Sequence, residues 1–387
     1  MQSLEAGRGR CAATLWRAGL VLAFGSTLVG CGTAGPTLLR AVSSASSPAD
    51  KQAELTRRID GMLAERQDPA APGLSIIILK DGAVVYQRSK GIADRARHAS
   101  ISDQTVFELA SLTKPITAIA IMQLHERKLL SLQDPLGKWL PQLPPAWAGI
   151  TVHQLLSHQS GIPEFIGVHY LEQSRYIDGM TNQGLFERFA LDGALKFLPG
   201  TDTKYSNSNY VVLAEIVARV SGRSYAQYLQ ENIFAPLGMQ ATYVSGQVAP
   251  QPGSEAISFA RDAKPFGLSF MTPGPLGVHS SAADFALLLR ALASGTLLSR
   301  QSMEAMTAPQ SAHPINALSE YYGYGWYVRP KGLPLAVFAH KGTLDGFRHL
   351  TRSNYQHGIS YVILSNGGQT TDDLVDRLSG IVQYVYE

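Results

Sequence analysis

One stretch decides the fold prediction, and it reads Phe107-Glu108-Leu109-Ala110-Ser111-Leu112-Thr113-Lys114-Pro115. If a helix begins here, Ser111 and Lys114 lie one turn apart on the same face. A serine hydroxyl is a weak nucleophile until a base removes its proton, and a desolvated lysine can serve as that base or polarise another one. The stretch therefore predicts Ser111 as a nucleophile whose developing charge the helix N-terminus stabilises. A Ser-x-x-Lys tetrad occurs about once by chance in a chain of this size, so Ser111 as a plain N-cap stays open on this motif alone.

A second motif, Tyr205-Ser206-Asn207, follows a Pro-Gly loop and precedes a predicted helix. A phenol near a cationic lysine is drawn towards phenolate, which would make Tyr205 a general base for Ser111 and a proton donor to the leaving group. The Asn207 amide can hydrogen-bond both Lys114 and a substrate carbonyl. The alternative is a helix cap beside a packed tyrosine.

A third motif, His340-Lys341-Gly342-Thr343, ends a predicted strand. Gly342 would let a substrate backbone approach closely, because it has no side chain. The Thr343 N–H could join that of Ser111 as an oxyanion hole. These residues predict a substrate-binding edge beside the nucleophile.

Composition and missing motifs exclude other classes of function. Of 387 residues, 45% are hydrophobic and 16% charged, and the net charge of +3 is too small to predict a nucleic-acid partner. The sequence has no Gly-x-Ser-x-Gly, no His-Glu-x-x-His and no Cys-x-x-Cys, and its ten histidines are scattered. We therefore expect no metal and no cofactor.

Hydrophobic periodicity predicts an α/β (α+β) fold. Leu55, Ile59, Met62 and Leu63 recur at helical spacing, and the dipeptide Asp81-Gly82 is a strong hairpin signal. Strands are predicted at Ser75–Lys80, Ala83–Arg88, Tyr324–Val328, Leu335–Ala339, Phe347–Thr351 and Ile359–Leu364. Further helices are predicted at Pro115–Leu130, Val152–His158, Tyr210–Val220, Tyr225–Phe234, from Ser281 with Asp284 as capping-box partner, and at Asp373–Tyr384. This order predicts one antiparallel sheet made from the N- and C-terminal strands, flanked by helices, with an inserted helical subdomain at about 111–290.

The N-terminus looks like a bacterial lipoprotein signal. Three arginines precede an apolar run, Ala18 to Gly30, that is short for a membrane span and ends at Cys31. We expect 1–30 to be a signal peptide, Cys31 to carry lipid, and the Ser-rich segment 31–50 to be a flexible tether. An ordinary secretory signal or a short membrane anchor is the alternative. The only other cysteine, Cys11, lies within the signal, so no disulfide is expected in the folded part.

At its three motifs the chain resembles the class C β-lactamase and serine DD-peptidase family. The resemblance runs from about Leu55 to the C-terminus, so that 51–387 is expected to be one serine hydrolase domain. It includes three connecting stretches, Leu129–Pro135, Ile150–His158 and Asn232–Met239.

The resemblance implies a role for each motif residue. Ser111 would be acylated, Lys114 and Tyr205 would share proton transfer, and Asn207 would orient Lys114 and substrate. His340, Gly342 and Thr343 would bind substrate, since the family's third motif is Lys-Thr-Gly or His-x-Gly. His340 resembles DD-peptidases and esterases more than true β-lactamases, and Thr343 suits a carboxypeptidase. Lys341 departs from the threonine that is common there.

The expected function is hydrolysis through an acyl-enzyme on Ser111. A D-alanyl-D-alanine carboxypeptidase-like peptidase comes first and an esterase close behind, with a class C-type β-lactamase as an alternative. A non-catalytic surface lipoprotein that binds or scaffolds is the alternative of another class. The expected partners are a small peptide, ester or β-lactam substrate and, through the lipid, a bacterial membrane facing the periplasm or the cell surface.

Overall fold

The computed structural model describes residues 47–387 except 67, 69, 166–180, 192, 248, 251–252, 260–271, 329–336 and 345. The predicted signal peptide, Cys31 and most of the tether lie outside the described residues. Part of the predicted strand Leu335–Ala339 does too. Within the described ranges, no helix has the length and apolar character needed to cross a membrane.

A seven-stranded antiparallel sheet forms the centre of the fold. In chain order the strands are β1 Leu74–Lys80, β2 Ala83–Lys90, β3 Ile92–Asp94, β4 Ala99–Ser100, β5 Val106–Glu108, β6 Tyr243–Val244, β7 Val278–Ser281, β8 Tyr321–Tyr322, β9 Tyr327–Val328, β10 Val337–Leu344, β11 Phe347–Asn354 and β12 Ile359–Ser365. The large sheet has the order β2-β1-β12-β11-β10-β9-β8. At its centre a strand from the N-terminal part of the chain pairs with one from the C-terminal part, since Ile77 lies opposite Val362 in the β1–β12 pair. The predicted antiparallel sheet is confirmed.

The first hairpin follows from its turn residues. Asp81 and Gly82 have φ of 50° and 79°, as a two-residue turn between twisted strands requires. The predicted strand Tyr324–Val328 is wrong in its first half. Only β9 is strand, and the turn before it packs on the helix that follows the nucleophile, where a Cβ on Gly325 would lie 2.8 Å from the Ala118 Cβ.

Helices cover both faces of the sheet. They are α1 Pro48–Ala64, α2 Thr113–Glu126, α3 Leu136–Trp139, α4 Val152–Leu156, α5 Asn182–Leu191, α6 Asn207–Ser221, α7 Tyr225–Leu229, α8 Ala235–Leu237, α9 Ala282–Ser294, α10 Arg300–Thr307 and α11 Asp372–Tyr386. The predicted helix Tyr225–Phe234 continues beyond α7 as a π-helical turn. Pro236 has no N–H for the Asn232 carbonyl, which accepts a hydrogen bond from Gln123 Nε2 at 3.1 Å instead.

The sheet separates two hydrophobic clusters. One face packs on α1 and α11, where Leu55, Ile59 and Leu378 are fully buried. The other face and the helices between β5 and β8 form the larger cluster, which holds Leu112 and Trp326. Because strand neighbours alternate, β1 and β12 supply apolar side chains to both clusters, which explains their almost unbroken apolar sequences.

A small three-stranded sheet, β5-β7-β6, leads the chain into the nucleophile segment. β7 runs directly into α9, and the Ser281 hydroxyl accepts a hydrogen bond from the Asp284 N–H as predicted. The reciprocal half of the predicted capping box is wrong. The Asp284 carboxylate turns instead to the Ala241 N–H and the Thr242 hydroxyl, each at 2.8 Å, and so ties α9 to the strand beside β7.

Candidate active site

Ser111 lies in a tight 3-10 turn, Ala110–Leu112, immediately before α2. Ala110 has a φ of +50°, which a residue with a Cβ adopts only at a cost. Its N–H donates to Glu108 Oε2 at 2.7 Å, and the other oxygen of that carboxylate accepts from the Gly277 N–H at 2.8 Å. Glu108 therefore links the nucleophile turn by hydrogen bonds to Gly277, the residue before β7.

Lys114 is fully buried and contacts three groups. Its Nζ lies 3.0 Å from Ser111 Oγ, 2.6 Å from Asn207 Oδ1 and 3.1 Å from the Pro275 carbonyl oxygen. Burial lowers the pKa of Lys114 to about 7, against the opposing charges of Glu164 and Glu108. A large fraction of the amine is therefore neutral at neutral pH.

Tyr205 is partly buried beside this amine, with Lys114 Nζ 4.9 Å from its ring centroid. Burial, together with Tyr327, raises the Tyr205 pKa well above its usual value, and a hydrogen bond with Ser111 opposes the rise only in part. The expectation that Lys114 draws this phenol towards phenolate is wrong in direction, because desolvation by burial raises the Tyr205 pKa. The Tyr205 side chain is therefore a neutral phenol at neutral pH.

Asn207 opens α6 and joins Lys114 to a carboxylate that the sequence analysis did not single out. Glu164 accepts hydrogen bonds from the Asn207 backbone N–H and, at 3.3 Å, from its Nδ2. The two residues are separated by 43 positions, and no local motif links them. The predicted contact of Asn207 with Lys114 is present.

His340 is fully buried rather than lining a substrate surface. Its Nε2 shares a hydrogen bond with the Tyr322 hydroxyl at 2.8 Å, and its ring lies 6.3 Å from that of Tyr205. Burial lowers the His340 pKa to about 3, with the charge of Lys114 acting in the same direction, so the ring is neutral as expected. In the structure His340 contacts Tyr322 and lies beside Tyr205, and its direct contact with substrate stays a prediction.

Gly342 brings β10 against the nucleophile turn. A Cβ at this position would lie 2.5 Å from the Leu109 carbonyl oxygen. The predicted close approach at this glycine was that of a substrate backbone, whereas in the structure the chain's own backbone at Leu109 needs the space. Thr343 follows at the exposed side of the strand.

Lys341 points away from His340, because neighbouring strand residues face opposite sides, and it shares the exposed face with Thr343. Its Nζ lies 3.5 Å from Asp376 Oδ1 on α11. On the neighbouring strand Arg348 Nε lies 2.8 Å from Asp372 Oδ1. Both cations near the end of β10 thus have acidic partners.

Glu108 is a site residue that was not predicted, although it lies within the stretch Phe107–Pro115 that contains the nucleophile. Its position, three residues before the nucleophile at a strand end, could have identified it. Tyr322 on β8 and Glu164 after α4 lie far from the nucleophile in sequence, and only the folded chain brings them to the site.

The chain is similar to several known proteins. A family model described as Beta-lactamase matches residues 59–385, so the chain belongs to the Beta-lactamase family and is a serine hydrolase. Penicillin-binding protein 4* of Bacillus subtilis (strain 168) is 26% identical over 322 residues, which cover 77% of this chain and 69% of the relative. Esterase EstB of Burkholderia gladioli is 27% identical over 362 residues, covering 81% and 91%. The solved octameric penicillin-binding protein homologue from Pyrococcus abyssi superposes with a TM-score of 0.69 at 29% identity, covering 81% of this chain and 73% of that one.

Proposed function

We propose that this protein hydrolyses small esters and D-amino-acid peptides through an acyl-enzyme on Ser111, with Lys114 as the general base. The contacts of Lys114 Nζ carry the proposal. A neutral amine has two N–H donors and one lone pair. The Asn207 Oδ1 and the Pro275 carbonyl can only accept, so they take both donors. The lone pair is left for Ser111 Oγ at 3.0 Å.

The reaction then follows from proton positions. The Ser111 proton moves to Lys114 as Oγ bonds to the substrate carbonyl carbon. The neutral phenol of Tyr205 gives its proton to the leaving group as the bond to that group breaks, and it regains a proton from the Lys114 ammonium. Water attacks the acyl-enzyme with the same groups acting in reverse. We assign the oxyanion hole to the N–H groups of Ser111 and Thr343, supported by the close packing of Gly342 on Leu109.

Substrate preference rests on the electrostatics of β10. His340 is neutral, and Lys341 and Arg348 are each paired with an aspartate. A substrate carboxylate therefore meets a weaker positive field than an unpaired lysine would provide. We rank neutral esters and amides above carboxylate-bearing β-lactams. The match to a relative named as an esterase, which extends over 91% of that relative's length, supports this ranking.

A matched pair of substrates tests the ranking. A p-nitrophenyl ester and a chromogenic cephalosporin are compared with the wild type and with Ser111→Ala as the inactive control. We expect turnover of the ester and slow or stoichiometric acylation by the β-lactam. Rapid cephalosporin turnover would make the protein a β-lactamase and contradict the ranking.

We also propose that the enzyme is exported and anchored through lipid on Cys31. The arginines and apolar run before Leu28-Val29-Gly30-Cys31 support this location.

A further inference from the structure

The carboxylate of Glu164 occupies the N-terminal end of α6. The residue before this helix, Ser206, makes no side-chain hydrogen bond to the first turn. Glu164, from the segment that follows α4, accepts the Asn207 N–H in its place, where the helix dipole favours a negative group. The second oxygen of Glu164 accepts from Asn207 Nδ2 at 3.3 Å.

This contact decides which way the Asn207 amide faces. A carboxylate accepts and does not donate, so the amide nitrogen faces Glu164 and the oxygen faces Lys114. In the flipped amide, Oδ1 would meet the carboxylate and Nδ2 would point at Lys114 Nζ. That N–H would occupy the lone pair that is otherwise left for Ser111.

We infer that Glu164 is a positioning residue of the acylation step, which holds the Asn207 amide so that the Lys114 lone pair stays directed at Ser111. The inference rests on the proposed function, because it assigns Glu164 a part in that same proton transfer. The hydrogen bonds of Glu164 to the Asn207 backbone N–H and Nδ2 give it this role. It acts through Asn207.

Glu164 also contributes to the charge around Lys114. The titratable groups that face this amine are Glu108, Glu164, His158, His340, Tyr205 and Tyr210. Burial lowers the pKa of each of the two histidines and raises that of each tyrosine, so these four are neutral at neutral pH. The charges that favour the Lys114 ammonium come first from Glu164 and then from the ionised fraction of Glu108, whose pKa burial raises to about 7. Removing the Glu164 charge would lower the Lys114 pKa further.

The test uses Glu164→Gln, which keeps the size but can both donate and accept. Attack by Ser111 Oγ is followed with a fluorophosphonate, which bonds to Oγ through phosphorus as fluoride leaves, by intact mass between about pH 5 and 9. We expect the plateau rate to fall about tenfold, a part of the 10²–10⁴-fold that general base catalysis contributes. We also expect the acid limb of the pH profile to move about one unit lower. Glu187→Gln, an exposed control on α5, should match the wild type in both respects.

The outcomes separate positioning from structural support. A folded Glu164→Gln with the wild-type rate and limb would overturn the inference, as would a lower rate with an unmoved limb. If Glu164→Gln does not fold, Glu164→Asp decides. Aspartate keeps the charge, so the acid limb of the pH profile should stay in place while the plateau rate falls. A shifted limb at the wild-type plateau rate would contradict the inference. If the wild type itself is not labelled at Ser111, the proposed function fails and the inference with it.

Discussion

Replacing Gly342 by Ala tests whether the packing of β10 on the nucleophile turn sets the geometry of the site. The added Cβ would lie 2.5 Å from the Leu109 carbonyl oxygen and 3.1 Å from His349 Cδ2. Ordinary contact needs about 3.5 Å, so the strand or the turn must move by about 1 Å. Overpacking of this kind costs about 1–3 kcal/mol of the free energy of unfolding. A displacement of about 1 Å near the reacting groups costs about 10²-fold in rate.

Gly61→Ala is the matched control, because the same methyl group would meet nothing within 4 Å in α1. Losing a helix-interior glycine should raise the free energy of unfolding by about 0.5–1 kcal/mol without changing activity. Both variants are measured by denaturant unfolding and by kcat/KM on p-nitrophenyl acetate. We expect Gly342→Ala to lose rate beyond any loss of folded protein. Wild-type stability and kcat/KM in this variant would refute the packing argument.

Three further predictions follow from the same structure. With the Lys114 pKa near 7, kcat/KM should rise with pH through that value and level off above it, because the base is the neutral amine; a rate independent of pH across this range would exclude that base. Lys114→Ala and Tyr205→Phe should each cost about 10²–10⁴-fold, and the double variant little more, whereas multiplying losses would show that they act separately. Cys31→Ser should move the protein from the membrane fraction to the soluble one with unchanged kcat, and a wild-type N-terminus without lipid mass would disprove the anchor.

Local patterns predicted much of the fold because their causes are local. Apolar spacing identified α1, and Asp81-Gly82 identified the first hairpin. The reciprocal capping box at Asp284 failed because its carboxylate has partners 43 and 42 residues away, at Ala241 and Thr242. Such competition between distant partners is not visible in the sequence.

In the site, too, a contact between residues close in sequence was predictable, and several features that depend on the folded chain were not. The Ser111–Lys114 contact spans one turn and follows from spacing alone. The direction of the Tyr205 pKa could not be predicted, because it depends on how deeply the folded chain buries the ring. The roles of Glu164 and Tyr322 depend on segments distant in sequence that meet only in the folded protein.

The central claim is covalent catalysis by Ser111. Its most direct test is the intact mass of the protein after brief exposure to a fluorophosphonate, with peptide mapping of any adduct. Our account predicts one adduct per chain, on Ser111, absent from Ser111→Ala and strongly slowed in Lys114→Ala. An adduct on another residue, or ester hydrolysis that survives in Ser111→Ala, would contradict it.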